Sequence, residues 1–388
     1  MSDKRSCLLF LVTEDWYFVS HRLALARAAV AAGYRVVVAT RIHHDHERIV
    51  AAGCEVRELR WRRSGNTPWA HLQALRDLVA VYRDVRPDIV HHVALKPVIF
   101  GSLAARISGV RRRVNALAGL GYVFSSTRYR ARLARPVFRV LLRWALRGDR
   151  QWTIVQNRGD QRALIDRGIL SADHVRLIRG SGVDVREYPP ASVQEVIPRI
   201  VLVARMLWDK GVGDFVAAAE KVVAGGAVAR FILVGDPDPE NPAAVPVSQL
   251  REWRDRGPVE WWGHRNDIPD VLSRSAIFCL PTRYGEGIPR SLLEGGAAGL
   301  ALVATDSVGC REIICDGENG ILVPPGDVLA LASALSRLIA DPEERTRLGR
   351  AARATIERDF SLDQVIRETL EVYRALEHDA GRVPDHED

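Results

Sequence analysis

Two cations five residues apart stand out as groups able to do chemistry. Arg205 and Lys210 lie in the run Arg205-Met206-Leu207-Trp208-Asp209-Lys210-Gly211. Lysine is scarce in the chain, occurring only as Lys4, Lys96, Lys210 and Lys221. A guanidinium and an ammonium in one loop can together neutralise a phosphate-bearing ligand. A second run, Glu286-Gly287-Ile288-Pro289-Arg290-Ser291-Leu292-Leu293-Glu294, carries two carboxylates around small and cationic residues. Pro289 suits a first helical turn, and Gly287 lets backbone approach a ligand closely. A helix starting there aims free N–H groups and its positive end at an anion. Carboxylates at those two places suit recognition of hydroxyls, as on a sugar and a ribose. Gly263-His264-Arg265-Asn266-Asp267-Ile268 could flank a base or a phosphate, and Gly182-Val183-Asp184 is a fourth, weaker run.

These runs need elements to hold them. In the first half, apolar runs at Leu8–Thr13, Arg35–Thr40, Glu55–Leu59, Asp88–Val93 and Arg113–Leu117 read as strands. Helical patterns separate them, at Ser20–Ala32, Ile49–Ala52, His71–Arg86 and Val98–Ser108. From Pro198 the alternation restarts, with strands at Arg199–Ala204, Phe231–Val234, Val259–Trp262, Ala276–Leu280 and Ala301–Ala304. Strands alternating with helices imply parallel sheets with right-handed crossovers. The expectation is two doubly wound α/β domains facing across a cleft. Their extents are 1–190 and 191–361, linked at Tyr188-Pro189-Pro190-Ala191-Ser192. A last helix from Leu362, capped by Ser361, crosses back toward the first domain and ends in a polar tail (362–388). In open parallel sheets ligands sit beyond the carboxyl ends of strands, so the runs above fall at the productive edge. The loop after the first strand lacks G-x-G-x-x-G, and no Walker A loop occurs, which argues against nicotinamide dinucleotides and P-loop phosphoryl chemistry.

Composition narrows the class further. The 388 residues are 47% hydrophobic and 27% charged, as in ordinary globular proteins. The stretch Val114–Thr127 lacks charge but is too short to span a bilayer. Five scattered cysteines and no CxxC pair suit a reducing cytosol and offer no zinc site. The net charge of +7 is uneven: residues 1–195 carry +16 and residues 196–388 carry −9. Such asymmetry suits an anionic partner for the first half. The excess peaks over residues 128–150, where arginines interleave with Leu133, Val137, Leu141 and Trp144 at helical spacing. That pattern fits either a helix packed on its own domain or an interfacial helix on anionic lipid heads. No zinc-finger or RNA-recognition signature supports nucleic acid as a partner.

The ordered set G-V-D (182–184), R-x4-K-G (205–211), L-V-G-D (233–236), W-G-H-R-N-D-I (262–268), E-G-I-P-R-S-L-L-E (286–294) and D-G-E-N-G-I-L-V-P-P-G-D (316–327) resembles retaining glycosyltransferases of family 4, which have the GT-B fold. In the first half, W-Y-F-V-S-H-R (16–22), H-H-V-A-L-K-P (91–97) and N-A-L-A-G-L-G-Y-V-F (115–124) look like the bacterial subgroup that extends polyprenyl-diphosphate-linked sugars. The resemblance implies that Arg205 and Lys210 neutralise the donor diphosphate and that Glu286 contacts the transferred sugar. It implies that Gly287, Ile288 and Pro289 present backbone near sugar and phosphate, and that Glu294 holds the ribose hydroxyls. His264, Arg265 and Arg290 complete the nucleotide-sugar set. The family's glycine pair after the first strand is replaced by Trp16, Tyr17 and Phe18, and Asn115–Gly121 contains no histidine. The acceptor-side candidates are therefore Trp16, His21, His91, His92, Gly119 and Gly121.

The function so implied is retaining transfer of a hexose or N-acetylhexosamine from a nucleotide sugar, with UDP as the carrier, to a polyprenyl-diphosphate-linked glycan. The place is the inner face of the cell membrane, with the protein cytoplasmic and peripheral. No metal or other cofactor is expected, and Asp236-Pro237-Asp238 is read as a loop. A sugar-nucleotide epimerase of the same fold, a non-catalytic nucleotide-sugar-binding protein and a transferase with a small soluble acceptor are the alternatives.

Overall fold

A computed structural model describes residues 5–61, 68–117, 119, 136, 139–190, 197–284 and 287–378. The chain divides into two compact units, one from Met1–Ser181 with Val365–Asp388, the other Gly182–Gln364. The division falls ahead of the Tyr188–Ser192 link expected from the sequence. The reason is local: Val183 pairs with Ser361, and Val183 and Tyr188 are buried in the apolar core of the second unit.

The first unit holds seven parallel strands: β1 (Cys7–Glu14), β2 (Arg35–Arg41), β3 (Glu55–Glu58), β4 (Ile89–Val93), β5 (Arg112–Leu117), β6 (Gln151–Val155) and β7 (Val175–Leu177). Their order is β3-β2-β1-β4-β5-β6-β7. Leu8 to Leu11 are wholly buried, because helices cover both faces of a parallel sheet and leave no solvent side for alternation. Tyr373, Leu376 and Val372 of the C-terminal helix Leu362–His378 fill one of these faces. A short helix (Asp15–His21) forms ahead of the Ser20 start expected from the sequence, and the next helix (Leu23–Ala31) begins after a break at Arg22. Asp15 directs this start, since its carboxylate accepts the backbone N–H groups of Trp16, His43, His44 and Asp45.

The second unit holds six parallel strands: β8 (Arg199–Val203), β9 (Arg230–Val234), β10 (Val259–Trp261), β11 (Ile277–Leu280), β12 (Ala301–Thr305) and β13 (Ile321–Val323). Their order is β10-β9-β8-β11-β12-β13. Strand order reverses between β8 and β11, which are direct neighbours in register Ile200–Ile277 and Val201–Phe278. That reversal is where a doubly wound sheet opens a crevice for ligands. Strand β6 and the edge strands β7 and β13 were not apparent in the sequence, β7 and β13 being only three residues long. Among the described residues no helix is long and apolar enough to cross a membrane.

Candidate functional site

The cation loop leaves the carboxyl end of β8 and the E-x7-E run leaves that of β11. The reversal of strand order therefore brings Arg205 and Lys210 beside the segment leading into Gly287–Arg290. Backbone bonds stitch the two loops: Arg283 N–H donates to the Asp209 carbonyl at 2.8 Å, and the Thr282 hydroxyl reaches the same oxygen at 3.2 Å. Gly211 makes this approach possible. Its φ is +73°, and a β-carbon there would lie 1.8 Å from the Pro281 carbonyl oxygen. Lys210 Nζ sits 5.6 Å from the centre of the Tyr284 ring. Arg205 Nη1 donates to Asp238 Oδ2 at 2.5 Å.

The helix Arg290–Ala297 follows Pro289, whose φ of −67° precedes the first turn. Gly287 and Pro289 are buried and Ile288 is half-buried. Arg290 Nε donates to Glu294 Oε1 at 2.8 Å, one turn along the same helix. The Tyr188 hydroxyl joins both. Burial works to lower the Arg290 pKa, but Glu294 and Tyr188 outweigh it and the value is raised. Burial, with the Glu294 charge, raises the Tyr188 phenol well above its usual range, so Tyr188 stays neutral. Glu286, the residue implied to contact the transferred sugar, lies outside the described residues.

Not every expected residue gathers here. His264 Nε2 lies 3.1 Å from Asn266 Oδ1, in an exposed loop after β10. The backbone of that loop is tied in, since Gly235 N–H donates to the Gly263 carbonyl. Arg265, however, is clamped by both oxygens of Asp267 and lines a recess with Arg199 and Arg274. Arg199 begins β8 and Arg274 precedes β11, while Trp262 of the same recess follows β10. Two carboxylates missed in the sequence complete the surroundings: Asp238, on Arg205, and buried Asp214, which holds Arg283. Among the described residues no group of three His, Cys, Asp or Glu side chains could hold a metal ion.

In the first unit the acceptor-side candidates separate. Trp16 is exposed, and His21 stacks on Tyr17 with ring centres 4.1 Å apart. His91 and His92 sit in the core. His92 Nδ1 faces Asn115 Oδ1 at 2.8 Å and its Nε2 lies 3.0 Å from the Tyr82 hydroxyl. Gly101 packs so tightly on it that a β-carbon would approach the ring to 2.6 Å. Burial pushes His92 down to about 3. His91, stacked on Phe10 with Nδ1 2.5 Å from the Tyr373 hydroxyl, is also held well below its ordinary value by burial and by Arg22. Both are neutral packing groups, because alternate residues of a central parallel strand point into one helical layer or the other and never to solvent. Gly119 is half-buried, and Gly121 lies outside the described residues. What does occupy the carboxyl end of β1 is Glu14, buried and 2.8 Å from His43 Nε2. Nearby Lys96 has its pKa lowered by burial, opposed by the Glu14 charge. A buried acid ending an apolar strand was the signal available for it.

Of the basic segment, residues 139–145 are helical and 128–135 lie outside the described residues. Leu142, Ala145 and Leu146 pack inward, while Val140, Leu141 and Trp144 are exposed at 67%, 40% and 37%. Arg106 fastens this helix, donating to the carbonyls of Trp144 and Arg147.

The family model described as "Glycosyl transferase 4-like" matches residues 7–157, and "Glycosyl transferases group 1" matches residues 197–341. The chain is 28% identical over 313 residues to the N,N'-diacetylbacillosaminyl-diphospho-undecaprenol alpha-1,3-N-acetylgalactosaminyltransferase of Campylobacter jejuni, covering 77% of this chain and 80% of that enzyme. It is 24% identical to the UDP-Gal:alpha-D-GlcNAc-diphosphoundecaprenol alpha-1,3-galactosyltransferase of Escherichia coli, covering 70% and 72%. The fold matches a sucrose-phosphate synthase from Thermosynechococcus elongatus with a TM-score of 0.80 at 19% identity, covering 97% and 100%. It matches Anabaena Alr3699/HepE in complex with UDP-glucose at 0.73 and 19%, covering 95% and 99%. With its two parallel-sheet α/β units and both halves matched in order, this chain belongs to the GT-B glycosyltransferases, combining a 4-like first domain with a group 1 second domain.

Proposed function

We propose that the protein transfers a hexose or N-acetylhexosamine, with retention of configuration, from UDP-sugar to a polyprenyl-diphosphate-linked glycan at the inner face of a membrane. The observation that carries this is the juxtaposition at the β8–β11 reversal of two cations and the entry to the helix Arg290–Ala297. The relatives that act on diphospho-undecaprenol sugars support the acceptor class.

In this reading Arg205, Lys210 and the helix N-terminus surround the donor diphosphate. As the bond from the sugar C1 to the β-phosphate oxygen breaks, negative charge grows on the departing diphosphate. Fixed positive groups stabilise that growth without reorganising, so no divalent cation is needed. The acceptor hydroxyl attacks C1 from the face the diphosphate leaves. Its proton passes to the departing phosphate oxygen, and a new C1–O bond replaces the old one. Glu286 contacts the transferred sugar, with backbone at Gly287–Pro289 beside it, and Glu294 holds the ribose. The outward ridge of Val140, Leu141 and Trp144, flanked by Arg139, Arg143 and Arg147, rests on anionic lipid heads.

The test is transfer from UDP-sugars to a synthetic polyprenyl-diphosphate-linked sugar, with and without a chelator. Lys210→Ala and Glu286→Ala should each lose about 10²–10³ in turnover. Near-normal turnover in both variants rejects the assignment, and chelator-sensitive turnover rejects the metal-free mechanism.

A further inference from the structure

We propose that Asp238 is a positioning residue for the donor diphosphate, orienting the Arg205 guanidinium before the ligand arrives. This rests on the reading of Arg205 as a diphosphate-binding group. Asp238 Oδ2 accepts from Arg205 Nη1 at 2.5 Å, with the carboxylate side chain 13% exposed and that of Arg205 36%.

The contact is built into the backbone. After β9 the chain folds back as a strap, 236–245, along the cation loop. Met206 N–H donates to the Asp236 carbonyl at 3.0 Å, Trp208 N–H to Ala243 at 2.8 Å, and Val245 N–H to Met206 at 2.9 Å. Leu207 and Ala244 form an antiparallel bridge. Asp238 is fixed within the strap: its Oδ1 accepts Glu240 N–H, and its carbonyl accepts Asn241 N–H. Gly235 anchors the start of the strap. Its φ is +130°, and a β-carbon there would meet the Ala204 carbonyl oxygen at 2.0 Å. Strap and cation loop thus form one stitched unit, from which Asp238 presents its carboxylate to Arg205.

An arginine side chain loses much rotational freedom when it engages a phosphate. A carboxylate that holds the guanidinium beforehand removes that cost from binding. The pairing also assigns the Asp236-Pro237-Asp238 run a task that its sequence did not disclose.

The experiment is calorimetric titration of the full chain with UDP, GDP and ADP. The variants are Arg205→Ala, Asp238→Asn, Asp238→Ala and the double variant Arg205→Ala/Asp238→Ala, each checked for an unchanged urea midpoint. Arg205→Ala should weaken diphosphate binding tenfold or more. Asp238→Ala should weaken it about three- to tenfold, and Asp238→Asn less, since the amide oxygen still accepts. The double variant should bind no worse than Arg205→Ala alone, because Asp238 acts through Arg205. If Arg205→Ala weakens binding and Asp238→Ala does not, or if the double loss is additive, the positioning role is overturned while Arg205 keeps its own. If Arg205→Ala binds as the parent does, or no nucleotide binds the parent, the underlying reading falls first and this one with it.

Discussion

A side chain's chemistry depends on what holds it, and the two residue types most often enlisted in catalysis show this here. Glu294 is tied to Arg290 and Tyr188, so its carboxylate is oriented before any ligand binds. If Glu294 holds the donor ribose as proposed, replacing it by alanine should raise the donor KM more than it lowers kcat, because such a contact serves ground and transition states alike. A matching fall in kcat with unchanged KM would assign Glu294 to the reacting centre instead. His92 is the opposite case, a histidine enclosed by Asn115, Tyr82 and Gly101. His92→Ala should lower unfolding free energy by about 2–4 kcal/mol, through a cavity and unpaired polar neighbours. The check is a urea midpoint, with kcat per folded molecule unchanged.

Single backbone positions control whole elements. Gly211 combines a left-handed φ with contact against the Pro281 carbonyl, so two loops meet only because it lacks a side chain. Gly211→Ala should cost about 3 kcal/mol or more and weaken nucleotide binding, read by urea unfolding and calorimetry. Asp15 plays the corresponding part in the first unit, joining the end of β1 to residues 43–45. Burial is the largest influence on its carboxyl and raises the pKa, yet four backbone N–H donors together lower it below the usual 3.8. A depressed folded pKa stabilises fully above the unfolded value and loses that contribution as pH falls through the folded one. Stability should therefore fall in the window below about pH 4, and Asp15→Asn should flatten that limb of a pH series of urea midpoints. An unchanged limb would place the acid sensitivity elsewhere.

At the scale of the molecule, the excess of positive charge lies in the first half of the chain, which also carries one exposed apolar ridge. The +16 of residues 1–195 gives long-range attraction to anionic surfaces, and the ridge of Val140, Leu141 and Trp144 offers short-range insertion. Flotation with phosphatidylglycerol vesicles should show binding at low salt that weakens as salt rises. Trp144→Ser should weaken it further, since apolar area is lost without a change in charge. Binding that is absent at low salt would make the segment ordinary solvated surface.

The alternation of apolar runs with helical periods and Gly or Pro stops is a local property, so two parallel-sheet units, the strand-end loop carrying Arg205 and Lys210 and the helix carrying Glu294 were legible from residues alone. The order of motifs 182–327 was likewise enough to read the family. Partners distant along the chain were not legible. Asp238 meets Arg205 across 33 positions, and Asp214 meets Arg283 across 69. Nothing in the loops announces either contact, because strand order, not spacing, decides which loops are neighbours. The same rule misled in the other direction. Paired histidines at a strand end look reactive in a string, yet the pleat of a covered sheet sends both into apolar layers. Arg265, read in the string as part of the nucleotide-sugar set, has its guanidinium paired with Asp267. Local pattern determined which elements form, and only packing determined which side chains face one another.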